Sequence, residues 1–255
     1  MDRIVLKVGS AVLTQDGTIA LARMQSLVLL VAKLMKHYEV IMVSSGAVAA
    51  GYTKLQLSRD TIENKQALAA IGQPILMKKY AKKFEKENIV VAQVLVTAAN
   101  LQKTDETKRV RNTIEKLLQN NVVPIVNEND ATATEELVVG DNDQLSAYIA
   151  KILQANLLVI LSDIDAYYSK DPRVHNDAKA LKTVHTIAHN ELEKTVTPNN
   201  TFATGGIVTK LKAASYLLEH NIDTFLSSGF VLDDVKNFLL SNNQTGGTLF
   251  TAKQI

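Results

Sequence analysis

Residues Asn127 to Asp143 gather six acids and three asparagines behind the apolar run Val122–Val126, and this is the densest set of chemically useful side chains in the sequence. A single Asp at a helix start caps free N–H groups and complements the dipole. The three side chains of Asp141–Asp143, following the set Asn127-Glu128-Asn129-Asp130, exceed what one cap uses. Such a group can orient a bound ammonium and position a lysine or Mg2+, although no ligand spacing marks a dedicated metal cage.

Two lysines stand beside glycine turns elsewhere. Lys7 lies inside the apolar run Ile4–Val8 and precedes Gly9 and Ser10; there its ammonium must reach an anion or snorkel to water. Lys210 follows Thr204-Gly205-Gly206-Ile207-Val208-Thr209 in the first turns of an expected helix. The helix dipole disfavours a cation there by about 0.3–1 kcal/mol, a penalty that a bound anion reverses. Ser44-Ser45-Gly46 opens another helix, as an ordinary serine cap or as an anion-binding turn. Ser162 and Asp163 close a further apolar run. Two cations on anion-ready turns, with a carboxylate to hold them, have the composition that phosphoryl transfer between two anions requires. An acceptor carboxylate is already ionised at pH 7, so no histidine base is needed. Neither GxxxxGK[ST] nor a GxGxxG after a strand is present.

These residues need a frame. Short β-branched runs at Ile4–Val8, Val40–Val43, Val90–Val96, Val122–Val126, Leu157–Leu161 and Thr224–Leu226 predict strands. Helical periodicity fills Leu21–Lys36, Asn64–Glu87, Lys108–Gln119, Gln144–Leu153, Val208–Glu219 and Val231–Leu240. The alternation predicts parallel βαβ units in one continuous sheet covered on both faces. In such sheets ligands bind outside the carboxyl ends of the strands, where the residues named above fall. Asn176–Asn200, polar and poor in pattern, is expected to be a mobile or lobe-joining segment.

The 255 residues, 46% hydrophobic, suffice for a large core. A formal charge of +2 without basic runs argues against nucleic acid and anionic membranes as partners. Absent cysteine removes disulfides and thiolate metal sites, and neither a signal peptide nor a membrane span is evident, so a cytoplasmic location is expected.

KVGSAVLT (7–14), SSGAVAAG (44–51), NENDATAT (127–134), VGDNDQLSA (139–147), DPR (171–173), TGGIVTKLKAA (204–214) and GGTLF (246–250) together resemble the amino acid kinase family over essentially the whole chain. The resemblance implies a three-layer αβα sandwich around a central, mostly parallel sheet. It further implies transfer of the ATP γ-phosphate, with Mg2+, to the side-chain carboxylate of L-glutamate, giving L-glutamyl 5-phosphate for proline synthesis. On this likeness Lys7 and Lys210 flank the transferring group and Asp143 holds both. Gly9, Ser10 and Gly46 supply N–H groups. Ser45, Asn127, Asp130 and Asn142 bind glutamate, with Asp130 meeting the α-ammonium. Ser162, Asp163 and the turn Thr204, Gly205, Gly206, Ile207, Val208, Thr209, Lys210 hold ATP, the N-terminal part serving glutamate and the C-terminal part the nucleotide. A homodimer or tetramer and inhibition by proline are also implied.

Two stretches depart from the family's pattern. Ala166-Tyr167-Tyr168-Ser169 stands where Gly-Leu-Tyr-Thr is common, and Ala203 where a Gly precedes the Thr-Gly-Gly turn. A single kinase domain over 1–255, without the C-terminal RNA-modification-like (PUA) domain of many bacterial members, is expected. Kinases of acetylglutamate, aspartate or UMP, and a sensor without turnover, are the competing readings. The carboxylate clusters favour an acceptor with a free ammonium, and intact Lys7, Lys210 and Asp143 favour turnover.

Overall fold

The computed structural model describes residues 1–97, 100–101, 103–132, 142–193 and 206–253. Its strands are β1 (Asp2–Val8), β2 (Thr14–Gln15), β3 (Thr18–Ile19), β4 (Tyr38–Ser44), β5 (Val91–Val96), β6 (Val123–Glu128), β7 (Leu157–Ser162), β8 (Thr183–Val184), β9 (Asp223–Ser228) and β10 (Thr248–Phe250). Its helices are α1 (Ser10–Leu13), α2 (Leu21–Leu34), α3 (Ala47–Tyr52), α4 (Ile62–Glu85), α5 (Thr104–Leu118), α6 (Asn142–Ile152), α7 (His189–Leu192), α8 (Ile207–Leu218) and α9 (Asp233–Ser241). Eight strands form one sheet in the order β5-β6-β4-β1-β7-β9-β10-β8, with β2 and β3 as a separate hairpin. All neighbouring pairs in the large sheet are parallel except β9 with β10. Among the described residues no helix is long and apolar enough to cross a membrane.

The strand period of two assigns each face. Ile4, Leu6 and Val8 of β1 enter one core with residues of α2, α4 and α9. Val5 enters the opposite core with Leu145 and Ile149 of α6 and Leu211 and Leu217 of α8. Central strands buried on both faces read as continuous apolar runs, which is why β1, β4, β6 and β7 were legible in sequence. β8 and β10 were not. With two and three residues they carry no alternation, and β8 lies inside the segment expected to be lobe-joining. Thr183–Val184 instead pairs with Leu249–Phe250 and ends the sheet, while residues 194–200 of that segment lie outside the described residues.

Two glycines bring α3 and α4 into backbone contact. A Cβ on Gly72 would stand 1.8 Å from the Ala47 carbonyl oxygen, and one on Gly51 1.9 Å from that of Leu68. The crossing places Gln73 of α4 near the turn that opens α3. Gly72→Ala must push the helices apart, and we expect a loss of about 1–3 kcal/mol in denaturant unfolding. Wild-type stability in that variant would show that the crossing is not as tight as described.

Candidate functional site

Lys7 interrupts an apolar row that runs across the sheet. Val94, Val126 and Val43 lie on one side in register, Ile160 and Leu226 on the other. The row faces α6 and α8, so the Lys7 side chain, 7% exposed, rises between the sheet and the starts of both helices. An ammonium in that position needs an anion. Asp143, second residue of α6, provides it through Oδ1.

The other oxygen of the same carboxylate takes the second lysine. Lys210, in the first turn of α8, folds back toward its own helix start, with Nζ 3.1 Å from Asp143 Oδ2 and 3.3 Å from the Gly206 carbonyl. Thr209 donates to the same Oδ2 at 2.7 Å. Burial by itself would raise the Asp143 carboxyl, but the charges of Lys210 and Lys7 and the hydrogen bonds hold it well below the usual carboxylate range. One ionised carboxylate thus fixes two ammonium groups of different elements at the carboxyl end of β1.

Beside it runs a row of amides. Asn142 Nδ2 reaches Ser45 Oγ at 2.9 Å and Asn127 Oδ1 at 3.0 Å. Asn127 Nδ2 reaches Gln73 Oε1 at 2.8 Å. Ser45, Asn127 and Asn142 therefore form one buried cluster that joins the ends of β4 and β6 to α6. Gly46 holds the turn before α3 with φ 103°, a left-handed conformation that costs glycine nothing. Asp130 lies just past β6 with Gln73 in a cavity of about 200 Å³, and burial pushes its carboxyl up to about 6.

The cavity at the end of β7 is larger, about 360 Å³. Asp163, Ile207, Val208 and Leu211 line it with Tyr167 and Tyr168. Ser162 is buried below, its hydroxyl donating to Asp163 Oδ1 at 2.9 Å and accepting from the Ile164 N–H at 3.2 Å. The departing stretch Ala166–Ser169 and the turn Asp171-Pro172-Arg173 form part of this wall, so a nucleotide there would meet two tyrosine side chains. Thr204, Gly205, Asp141 and Ala203 lie outside the described residues.

One expected donor is otherwise engaged. The Gly9 N–H is taken by the Leu161 carbonyl at 3.0 Å, which ties β1 to β7. Ser10 follows at the start of α1. The sequence reading missed Gln73, because a glutamine inside a helix carries no motif, and Glu191, which lines the larger cavity from a four-residue helix.

Asp143→Asn removes the carboxylate that both lysines share, and a loss of about 3–5 kcal/mol is expected. Because the folded-state pKa is depressed, the stabilisation is complete above the unfolded value near 4 and fades as pH falls below it. Denaturant unfolding of both proteins should show a constant gap from about pH 5 to 8 that narrows only in stronger acid. A gap that changes near neutrality would contradict the assignment.

The amino acid kinase family model matches residues 2–228. A glutamate 5-kinase from Leishmania donovani is 51% identical over 251 residues, covering 98% of this chain and 95% of that protein. One from Wolinella succinogenes is 50% identical, covering 98% of each. An isopentenyl phosphate kinase has the same fold, with a TM-score of 0.71 at 18% identity, 98% of this chain and all of the other being covered. A carbamate kinase from Giardia lamblia bound to AMP-PNP gives 0.66 at 17% identity, with 98% of each chain covered. With its mostly parallel sheet, its two lysines on one carboxylate and these likenesses, the chain belongs to the amino acid kinase family.

Proposed function

We propose that the chain transfers the γ-phosphoryl group of ATP to the side-chain carboxylate of L-glutamate, giving ADP and L-glutamyl 5-phosphate, the first step of proline synthesis. The observation that carries this reading is the near-complete, half-identical match to glutamate 5-kinases. The joined lysines and amide cluster supply the chemistry.

In this mechanism ATP occupies the larger cavity, its base among Tyr167, Tyr168 and the start of α8, its phosphates directed toward Gly206, Thr209 and Lys210. Glutamate lies along Ser45, Gly46, Asn127 and Asn142 with its α-ammonium at Asp130. An oxygen of its ionised side chain attacks the γ-phosphorus in line as the bond to the bridging oxygen of ADP breaks. No proton has to move. Lys7 and Lys210 stay on either side of the phosphoryl group, and their charge offsets that of the equatorial oxygens in the transition state. Asp143 is a positioning residue, because its oxygens already accept from Lys7, Lys210 and Thr209.

Mg2+ fits this donor set as an ion that travels with the phosphates. Among the described residues no three carboxylate or imidazole groups converge into a protein cage, and Mg2+ commonly uses one carboxylate plus phosphates and water. Asp163, in the nucleotide cavity, would hold it. When bound it offsets phosphate charge. By the same family likeness the enzyme acts in the cytoplasm as a homodimer or tetramer and is inhibited by proline.

The test is ADP release from Mg-ATP with hydroxylamine present, across glutamate, acetylglutamate, aspartate and UMP. Hydroxamate with glutamate alone is expected; turnover of another acceptor, or of none, overturns the reading. Lys210→Ala should lower kcat by about 10²–10³-fold or more with the fold retained, and a near-wild-type kcat would remove it from the transition state.

The raised Asp130 carboxyl gives a pH signature. Only the ionised form pairs with an ammonium, so KM for glutamate should climb as pH falls through about 6, by about tenfold per unit below it. Asp130→Asn should raise that KM at pH 8 and flatten its pH dependence. A wild-type KM that is flat from pH 5 to 8 would place the ammonium elsewhere.

A further inference from the structure

The row of amides has a direction, and one backbone group sets it. The Glu128 N–H can only donate, so the Asn127 atom 2.9 Å away is the oxygen. Asn127 must then turn Nδ2 toward Gln73, and the Gln73 atom that receives it at 2.8 Å must be Oε1. That leaves the Gln73 amide nitrogen facing away from Asn127. It is buried and has no partner among the described residues, on a residue only 8% exposed. By the same logic Asn142 uses Nδ2 on Asn127 and Ser45, and its Oδ1 is left without a partner among the described residues. The row therefore presents a buried donor at one end and a buried acceptor near the other, an arrangement that is costly without a ligand.

Gln73 shares its cavity with Glu128, Asn129 and Asp130. Acids there suit a cation and repel an anion, so an anionic oxygen in that space needs a neutral donor, and the buried, unpartnered Nε2 of Gln73 can donate to it. In an α-amino acid the ammonium and the α-carboxylate hang from one carbon, so their partners must line a single cavity. Asp130 and Gln73 do so. The row then leads through Asn127 to Asn142, the residue next to Asp143, in the direction that a substrate side chain must take to reach the lysines.

We infer that Gln73 is a substrate-contacting specificity residue, donating from Nε2 to the α-carboxylate of the amino-acid acceptor; this rests on glutamate as the acceptor. The Asn127 bond fixes the orientation of the amide, so the donor is set before substrate arrives.

Gln73→Glu tests this closely, since it keeps an oxygen for Asn127 and exchanges only the donor for an anionic acceptor. Rates are measured for L-glutamate and for its α-amide, which keeps the ammonium and the side-chain carboxylate but has a neutral carboxamide in place of the α-carboxylate. The preference for glutamate over the amide, as a ratio of kcat/KM, should fall by about 100-fold or more, with KM for ATP within about twofold of wild type. Gln73→Met, which adds no charge to the cavity, should lower the same ratio by about tenfold. A merely structural role, acting through Asn127, would depress both substrates alike and leave the ratio unchanged, and that result overturns the inference while leaving the proposed reaction intact. Wild-type protein that releases no ADP with glutamate would instead sink the proposed reaction, and the Gln73 assignment with it.

Discussion

A single buried carboxylate, Asp143, sets the conditions that the surrounding structure has to meet. Lys7 stands in the middle of a sheet whose neighbouring strands offer it valine, isoleucine and leucine, an environment in which an ammonium persists only beside an anion. Lys210 comes from a helix start, where the dipole opposes it. Both are satisfied by two oxygens of one side chain. Ion pairs at such depth add little net stability compared with apolar packing of the same volume, yet losing one partner is severe. The packing of α6 against α8 therefore serves position more than stability: it holds two cations at a fixed separation, which in the proposed reaction is where phosphoryl charge is received.

The second organising element is the polarity of the amides. Asn127 connects the main chain of β6, through the Glu128 N–H, to side chains of α4 and α6. Asn142 and Asp143 are consecutive, so the residue that ends the amide row adjoins the residue that joins the lysines. One helix start thus joins the amide row to the pair of lysines, and in the proposed reaction it couples recognition of the amino acid to placement of charge. The close α3–α4 crossing at Gly51 and Gly72 belongs to the same design, because it delivers Gln73 and the Ser45-Gly46 turn to one side of the site.

Much of this was legible in the sequence because burial on both faces leaves an unbroken apolar run, against which Lys7 stands out. The strand ends were then the places to look, and Ser45, Asn127, Asp143 and Ser162 fall there. Gln73 was hidden, since a glutamine at mid-helix looks like any good helix former until the tertiary fold shows what it faces. The engagement of the Gly9 N–H with Leu161 depends on the pairing of β1 with β7, a contact between residues 152 apart in the chain that no local pattern encodes. The short edge strands β8 and β10 were equally unreadable. Their pairing is supplied by neighbours distant in sequence and not by their own alternation.

The claim that Asp143 acts through the lysines is tested most directly by a double-mutant cycle on kcat. Asp143→Asn, Lys210→Met and the double variant are compared with the wild type at saturating ATP and glutamate. If the carboxylate works by holding the lysine, the double variant should be about as slow as the slower single one. If the two losses multiply, and Asp143→Asn still adds its full loss when Lys7→Met is also present, Asp143 contributes on its own account and the shared-carboxylate description of this site is wrong.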